Sequence, residues 1–305
     1  MNLKALPRAE CGIPNMRDFD RIKKRELGRK KSLAEKLILR MVENPALAIR
    51  EIAGRLREKG EKRSGSIIGK VNGINFEYEI GLGAMVRKMY FGSYELDVLY
   101  ALKKHLKKGD VFIDVGANIG YVTAYAMGLV GKSGQVHSFE PVSEYFKRLV
   151  RVSQMNAEYN LVANNCALGE DNGSGTIYIS KVNLGWNTLD GNAIRPEKIK
   201  RTEEVGIIRL DKYLIERKLA PKMIKIDVEG FEFPVLKGLE NYLHNAVNLP
   251  LILCEIGALG DAAEKLQRYM AGFSYKPFSA RKHDKPVDIA KLTESADVLF
   301  KPKSL

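Results

Sequence analysis

Five short apolar runs, separated by helical patterns, occupy the central part of the chain and read as buried strands. The five runs are residues 111–115, 135–139, 161–167, 223–226 and 251–256. Helical patterns lie between most of them, near residues 119–130, 143–158 and 232–245. Strands and helices that alternate in this way predict a mostly parallel sheet with helices on both faces. Two later candidates, residues 273–278 and 296–301, are placed to close the edge of the sheet.

The N-terminal region shows helix signals instead. Ser32 with Glu35 is a capping-box pattern, and Asn44-Pro45 ends this first helix and starts a second one. Apolar residues recur at helical spacing after each start, with basic residues on the other face of the second helix. We therefore expect a basic, mainly helical extension over residues 1–65.

A second domain should follow over residues 66–305. Asn72-Gly73 lies between two short segments and is the turn dipeptide that favours a two-residue hairpin, here over residues 66–80. The core of the domain then begins at about residue 93, with a helix that reaches to about residue 108.

Charge is distributed unevenly along the chain of 305 residues, whose formal net charge is +13. Residues 1–70 contain 19 Lys and Arg against 9 Asp and Glu, a net of +10, so the remaining 235 residues carry only +3. The basic region has three interpretations: packing on its own domain, contact with an anionic membrane surface, or nucleic-acid binding. Phe19 is its only aromatic residue before residue 65, which argues against nucleic acid as a partner.

Composition excludes several classes of site. The three cysteines lie far apart, and an odd number this small does not indicate a disulfide framework. The four histidines do not have the spacing of zinc ligands. No apolar run is long enough to span a bilayer, and the N-terminus lacks a signal core. We expect a cytoplasmic protein, with peripheral membrane contact through residues 1–65 left open. The sequence does not indicate an oligomeric state.

The turn after the first parallel strand is the first candidate binding element. Gly116 and Gly120 permit a tight turn, but Asn118 and Tyr121 replace the second and third glycines of the dinucleotide pattern GxGxxG. Asp114 would repel a pyrophosphate and suits a ligand with cationic groups. S-adenosylmethionine has two, an ammonium and a sulfonium. The two glycines could instead serve the turn alone.

Two further strand ends complete the predicted donor site. Glu140 ends the second strand, where a carboxylate can accept hydrogen bonds from ribose hydroxyls. Asn165 and Ala167 belong to a loop of small residues where an adenine ring could lie. Asn165 also has a plain structural interpretation, because asparagine often ends strands at turns.

The fourth strand ends in charged residues and is the best candidate for the reacting centre. The apolar run 223–226 contains Lys225 and is followed by Asp227 and Glu229. Charges at such a position are costly unless they are paired or lie in a cleft. Asp227 could deprotonate or orient an acceptor hydroxyl, with Lys225 and Glu229 tuning its charge. Asp227 and Glu229 could instead hold a divalent cation, although we assign no metal site. The plain alternative is an ion-pair network that caps the sheet.

A long segment without a predicted element, residues 181–206, contains the only tryptophan. Segments of this kind in compact domains are usually lids or binding loops. Trp186 and Asn187 are therefore candidate acceptor-binding residues. Packing of Trp186 on the edge of a sheet is the alternative.

Four motifs, in this order and spacing, resemble the FkbM family of class I methyltransferases, over roughly residues 66–305. They are DVGANIGYVT at 114–123, FEP at 139–141, NCALG at 165–169 and KIDVEGFE at 225–232. The resemblance implies a Rossmann-like fold, S-adenosylmethionine as methyl donor, and methylation of a hydroxyl oxygen. It also implies that Lys225, Asp227 and Glu229 lie near the transfer site. The donor-binding residues that it implies are Asp114, Gly116, Asn118, Gly120 and Glu140.

The sequence thus favours an O-methyltransferase that acts on a sugar, a glycan or another small hydroxylated metabolite. An RNA methyltransferase that grips phosphates with its basic region is the alternative within the same enzyme class. A binding module that keeps the fold without the reaction is the alternative from a different class. Binding of S-adenosylmethionine would separate the enzymes from the module, and salt dependence would separate the two enzymes.

Overall fold

The structure is a computed structural model of the whole chain. It describes residues 65–182, 185–192, 194–257, 261–280 and 285–303, together with Met41, Ile49 and Ile52. The helices predicted within residues 32–57 therefore lie outside the described residues, apart from these three helical positions.

Thirteen strands are present in the part of the chain that the structure describes. They are β1 (Ser66–Val71), β2 (Ile74–Glu79), β3 (Val111–Val115), β4 (Gln135–Phe139), β5 (Asn160–Asn164), β6 (Ala167–Leu168), β7 (Gly173–Ser180), β8 (Ile199–Ile208), β9 (Met223–Ile226), β10 (Leu251–Ile256), β11 (Tyr275–Ser279), β12 (Lys285–Pro286) and β13 (Ala296–Pro302).

The α-helices from residue 65 onward, among the described residues, are eight. They are α1 (Ala84–Tyr90), α2 (Leu96–His105), α3 (Tyr121–Val130), α4 (Ser143–Met155), α5 (Leu210–Glu216), α6 (Glu232–Lys237), α7 (Glu240–Asn245) and α8 (Asp261–Gly272). None of the helices described here is long and apolar enough to cross a bilayer.

Eight strands form the main sheet, in the order β12-β11-β13-β10-β9-β3-β4-β5. The five strands from β5 to β10 are parallel to one another, whereas β13 runs antiparallel to β10. This confirms the predicted α/β fold with a mostly parallel, Rossmann-like sheet. All four residues of β9 are buried, which explains why its sequence is an apolar run.

Helices cover both faces of this sheet. Phe112 and Ile113 are neighbours in β3 and point to opposite faces, and each is fully buried in a different apolar cluster. The first cluster includes α2, α3 and the hairpin, and the second includes α5, α6 and α7. The sheet therefore has a packed core on each side.

The predicted hairpin forms as expected from β1 and β2. Asn72 and Gly73 both have positive φ, 49° and 90°, at its turn. The turn packs on α3, where the Asn72 side-chain amide donates to the carbonyl of Tyr125 at 3.0 Å. A Cβ atom on Gly128 would lie 2.2 Å from the Asn72 carbonyl oxygen, so only glycine allows this contact.

Three sequence predictions were wrong in detail. The segment 181–206 is not structureless throughout, because residues 199–206 belong to β8, which pairs antiparallel with β7. The predicted strand 161–167 is divided between β5 in the main sheet and β6 in a separate sheet of order β6-β8-β7. The predicted helix 232–245 is two short helices, α6 and α7. The alternation of apolar and polar residues that marks a half-buried strand is hard to recognise in β8. Its exposed face is mostly charged or polar, and its less exposed face also includes Arg201 and Glu203.

Candidate active site

The order of the strands reverses between β3 and β9, and this is where ligands bind in open parallel sheets. After β3, the chain adds β4 and then β5 on one side of β3 in the sheet. It later adds β9 and then β10 on the opposite side of β3. The strand ends are adjacent, since Val115 pairs with Ile226 and the Asp227 amide donates to the Val115 carbonyl at 3.1 Å. Gly116 and Asp227 therefore lie side by side.

Two adjoining clefts open at this edge, with empty volumes of about 530 and 400 Å³. The first cleft is lined by strand ends β3, β4 and β9 and by the loop before β6, and the second by residues that precede α2 and begin α3. Four residues line both clefts: Gly116, Asn118, Gly185 and Asp227.

The turn after β3 is shaped by three residues with positive φ. Gly116, with φ of 78°, has no room for a side chain, because a Cβ atom would lie 1.9 Å from the Asp227 carbonyl oxygen. Asn118, at φ 52°, receives a hydrogen bond from the amide of Ile119 at 2.7 Å. Gly120, at φ 86°, lines neither cleft, and a Cβ atom there would meet Leu149 of α4 at 3.0 Å. Gly120 thus serves helix packing, and Gly116 and Asn118 shape the clefts.

Asp114 lies behind the clefts and does not line them. Its side chain is fully buried, and its Oδ2 atom accepts a hydrogen bond from Thr123 at 2.6 Å. Its Oδ1 atom has no hydrogen-bond partner and lies 3.8 Å from the Lys225 ammonium. Burial raises the pKa of Asp114, and Lys225 and Thr123 partly oppose that shift. The acid predicted to contact a cationic donor is therefore directed at Lys225.

Glu140 lies at the tip of β4, as predicted, and lines the first cleft. Its two oxygens accept hydrogen bonds from the amides of Asn118 and Val142, each at 2.8 Å. Burial raises the pKa of Glu140 to about 7, although both amides favour the ionised form. The carboxyl group thus joins the turn after β3 to the start of α4 at the wall of the first cleft.

The loop before β6 lines the first cleft through residues other than Asn165. The Asn165 side-chain amide donates to the carbonyls of Glu140 and Pro141, at 2.9 and 3.0 Å, and the residue is exposed. Ala167, which was predicted, and Cys166, which sequence reasoning missed, both line the cleft. Asn165 thus holds the loop in place, and its smaller neighbours form the surface.

Lys225 and Asp227 are in direct contact at the end of β9. The Lys225 ammonium lies 2.9 Å from Asp227 Oδ2, and its side chain is buried. Burial alone would lower the pKa of Lys225, but the carboxylates of Asp227, Asp114 and Glu95 outweigh burial and raise it. Lys225 is therefore a fixed cation with carboxylates around it.

Glu232, which sequence reasoning did not assign to the site, holds the loop after β9. Its Oε1 atom accepts hydrogen bonds from the amides of Val228 and Gly230, at 3.2 and 3.0 Å. These amides flank Glu229, which has a left-handed backbone with φ of 52°. Glu232 thus stabilises the conformation that directs Glu229 toward the first cleft.

A third carboxylate, Glu255 of β10, joins Asp227 and Glu229 at the reacting centre. One oxygen from each of the three lies within 4.8 Å of the others. Burial and the neighbouring carboxylates raise the pKa of Glu229 to about 8 and that of Glu255 to about 7. Oxygen ligands of this kind suit a hard divalent cation, so the donor set fits such an ion. Sequence reasoning missed Glu255 because it lies inside an apolar strand.

Asn187 and Trp186 lie in the connection from β7 to β8, as expected, but only Asn187 lines a cleft. The Asn187 Oδ1 atom accepts a hydrogen bond from the Ser180 amide at 3.1 Å. Trp186 is 47% exposed, and the Lys198 ammonium lies 5.6 Å from its ring centroid. An exposed indole next to a cleft offers a flat apolar surface to a ligand.

Among solved structures, the chain is similar to methyltransferase FkbM from Methylobacillus flagellatus KT. The TM-score is 0.42 and the identity 15%, over 84% of this chain and 60% of that one. It is also similar to Aeropyrum pernix fibrillarin, solved with natively bound S-adenosyl-L-methionine. There the TM-score is 0.40 and the identity 12%, over 79% of this chain and 84% of that one.

Two curated proteins match parts of the sequence. Methyltransferase 1 of Beauveria bassiana is 26% identical over 160 residues, which are 47% of this chain and 64% of that protein. Hexuronic acid methyltransferase AglP of Haloferax volcanii is 27% identical over 165 residues, which are 53% of this chain and 63% of that protein. The chain thus covers slightly less than two thirds of either relative.

The family model for the methyltransferase FkbM domain matches residues 114–277, more than half of the chain. This range begins at Asp114 in the first of the four sequence motifs and includes every residue predicted for the site. The chain belongs to the FkbM methyltransferase family.

Proposed function

We propose that the protein transfers a methyl group from S-adenosylmethionine to a hydroxyl oxygen of a sugar, a glycan or another small hydroxylated molecule. The observation that carries this proposal is the pair of clefts that meet at Gly116 and Asp227. S-adenosylmethionine is a molecule in two parts, an adenosine and a methionine, joined at the sulfonium that carries the reactive methyl group. A two-part site with a carboxylate at the junction suits this donor.

The first cleft suits the adenosine part. Its inner wall includes apolar and small residues, Cys166, Ala167 and Leu168, which can contact the face of an adenine ring. Glu140 lies on the same cleft with lone pairs left for ribose hydroxyls. Asn118 lies between Glu140 and the second cleft and so adjoins both parts of the donor.

The reaction itself requires alignment and removal of one proton. The acceptor oxygen attacks the methyl carbon as the bond from carbon to sulfur breaks, and the hydroxyl proton must leave. The donor is already activated, so the protein mainly aligns the reactants. Asp227 lies at the junction of the clefts and takes the proton in our proposal, and Lys225 at 2.9 Å holds the carboxylate in place.

A divalent cation could assist at the same centre. Asp227, Glu229 and Glu255 would hold it, and such an ion lowers the pKa of a bound hydroxyl. Full turnover after treatment with a chelator, and no gain from added Mg²⁺ or Mn²⁺, would contradict this part of the proposal and leave Asp227 as the sole base.

The nature of the acceptor rests on two weaker observations. The half-exposed ring of Trp186 next to Asn187 offers a stacking surface of the kind that sugars use. One of the matched relatives is a hexuronic acid methyltransferase. Three carboxylates at the junction would repel an anionic group, so an acidic sugar would have to keep its carboxylate away from them.

An RNA acceptor is the second candidate, and the net charge of +10 in residues 1–70 favours it. Residues 1–64 lie outside the described part of the chain apart from three positions, so this candidate depends on the sequence alone. The same holds for contact between this region and an anionic membrane.

Two measurements test the proposed function. Calorimetric titration should show binding of S-adenosylhomocysteine, the product that resembles the donor, and the absence of binding would contradict the proposal. A screen with S-adenosylmethionine labelled on its methyl group should then transfer label to neutral sugars, hexuronates, glycans or RNA. Matched pairs, such as glucose and glucuronate, would show whether a negative charge on the acceptor is tolerated.

A further inference from the structure

The second cleft has three charged residues in its lining, Glu95, Lys225 and Asp227. Two of them are already matched, because the Lys225 ammonium lies 2.9 Å from Asp227 and 3.8 Å from Asp114. Lys225 therefore has its charge balanced within the protein. Of the three charged lining residues, Glu95 is the one without a salt bridge among the described residues, so it is available to a charged ligand group.

Glu95 is placed in the cleft by an unusual backbone. It directly precedes α2 with φ of 49° and ψ of 39°, a left-handed conformation that is rare for glutamate. Its side chain makes no capping hydrogen bond to the helix that it precedes. Within the described residues, no Lys or Arg forms a salt bridge with its carboxylate. The backbone strain thus holds a carboxylate without a paired cation at the wall of the cleft.

The environment of this carboxylate makes a cationic ligand favourable. Burial raises the pKa of Glu95 to about 7, the charge of Asp227 raises it further, and Lys225 opposes the shift. Asp114, the acid that the sequence suggested for a cationic donor, is instead directed at Lys225 and Thr123. Tyr94 forms a side-chain hydrogen bond with Glu95, but no described Lys or Arg forms a salt bridge with it, so a positive group from a ligand would supply the missing countercharge.

We propose that Glu95 binds the α-ammonium group of the methyl donor, an inference that rests on the proposed function. With adenosine in the first cleft and the sulfonium near Asp227, the methionine part extends into the second cleft. Its far end carries one ammonium group, and Glu95 is the unmatched carboxylate there. Glu95 is thus a donor-binding residue that the family motifs between residues 114 and 232 do not include.

The test compares two ligands in the full-length protein. S-adenosylhomocysteine has the amino-acid group, whereas 5′-methylthioadenosine lacks it and keeps the adenosine. Glu95→Gln should weaken S-adenosylhomocysteine about ten- to hundredfold, as expected for a lost hydrogen bond to a charged group, and change 5′-methylthioadenosine less than about twofold. Glu158→Gln removes one charge from an exposed position and should change neither affinity.

A second variant guards against misfolding. Glu95→Asn also removes the charge, and asparagine adopts the left-handed conformation more readily than glutamate or glutamine. It should fold at least as well as the wild type and lose affinity for S-adenosylhomocysteine alone.

The outcomes are distinct. Equal loss for both ligands would show that Glu95 supports the structure of the site, and an unchanged affinity for S-adenosylhomocysteine would show no contact with the ammonium. Either result overturns the inference while wild-type binding still supports the proposed function. Failure of the wild type to bind S-adenosylhomocysteine would overturn both.

Discussion

Asp227 is the side chain on which the proposed chemistry depends. It lines both clefts, and its only salt bridge within the described residues is the one with Lys225. Asparagine has nearly the same shape and keeps an oxygen for the Lys225 ammonium, but it is not a base. The substitution Asp227→Asn therefore separates the chemistry from the architecture of the site.

We expect Asp227→Asn to lower turnover by about a hundredfold or more, the usual contribution of a general base. Affinity for S-adenosylhomocysteine should stay within about fivefold of the wild type, since a lost contact worth less than about 1 kcal/mol has only that effect. Rates with labelled donor and calorimetric titration measure the two quantities. Glu158→Gln is the control, and near-normal turnover of Asp227→Asn would contradict the assignment.

Gly116 tests whether the two central strand ends need their close contact. A Cβ atom there would lie 1.9 Å from the Asp227 carbonyl oxygen, and φ is 78°. We expect Gly116→Ala to lower the free energy of unfolding by about 2 kcal/mol or more. Denaturant unfolding measures it. Gly206→Ala, where a Cβ atom would meet nothing within 4 Å, is the control and should change stability little.

At the residue scale, most of the predicted site residues line the two clefts, but the direction of individual side chains was not predictable. Asp114 was expected to meet the donor, yet it is buried behind Lys225, and that pairing depends on β3 and β9 being neighbours. Glu255 reaches the reacting centre from β10. Both facts depend on strand order, which a single sequence does not contain.

Among the structural elements, β4 shows how a strand end can connect its neighbours. Glu140 receives hydrogen bonds from the turn after β3 and from the start of α4. Because burial raises its pKa, the carboxyl group holds a proton more tightly in the folded protein than in the unfolded chain. The stability that depends on this group is therefore lost as the pH rises from about 4.5 to about 7.

The variant Glu140→Gln cannot ionise and should lack this pH dependence. The wild type should lose about 2 kcal/mol of free energy of unfolding from pH 5 to pH 8 that the variant does not lose. Its absolute stability can be lower at every pH, since an amide accepts fewer hydrogen bonds than a carboxylate. Denaturant unfolding at four pH values measures the difference. Parallel curves for the two proteins would contradict the raised pKa.

Elements with buried apolar runs were predictable, and those with mixed faces were not. The strands β3, β4, β9 and β10 were placed to the residue because burial on both faces makes their sequences apolar. The hairpin was predictable from Asn72-Gly73. The pairing of β7 with β8 was missed, because both strands have a largely exposed, polar face.

At the scale of the whole molecule, net charge is concentrated in residues 1–70, which carry +10 against +3 for the remaining 235 residues. If the acceptor is a neutral sugar, turnover of the full-length protein should change less than about twofold between 50 and 300 mM salt, because no phosphate is bound. If the acceptor is RNA, its affinity should fall by about a hundredfold or more over the same range. Steady-state rates and filter binding measure the two cases, and steep salt dependence with a sugar would contradict the first.

The contact between Gly116 and the Asp227 carbonyl also has a mechanical consequence. With 1.9 Å left for a Cβ atom, we expect the turn after β3 and the end of β9 to move together, so that any widening of the clefts occurs at the opposite wall. That wall is the connection from β7 to β8, which brings Gly185 to both clefts. Deuterium exchange should therefore be slow at the Asp227 amide with or without ligand. It should be fast at residues 185–187 until S-adenosylhomocysteine binds and slows it.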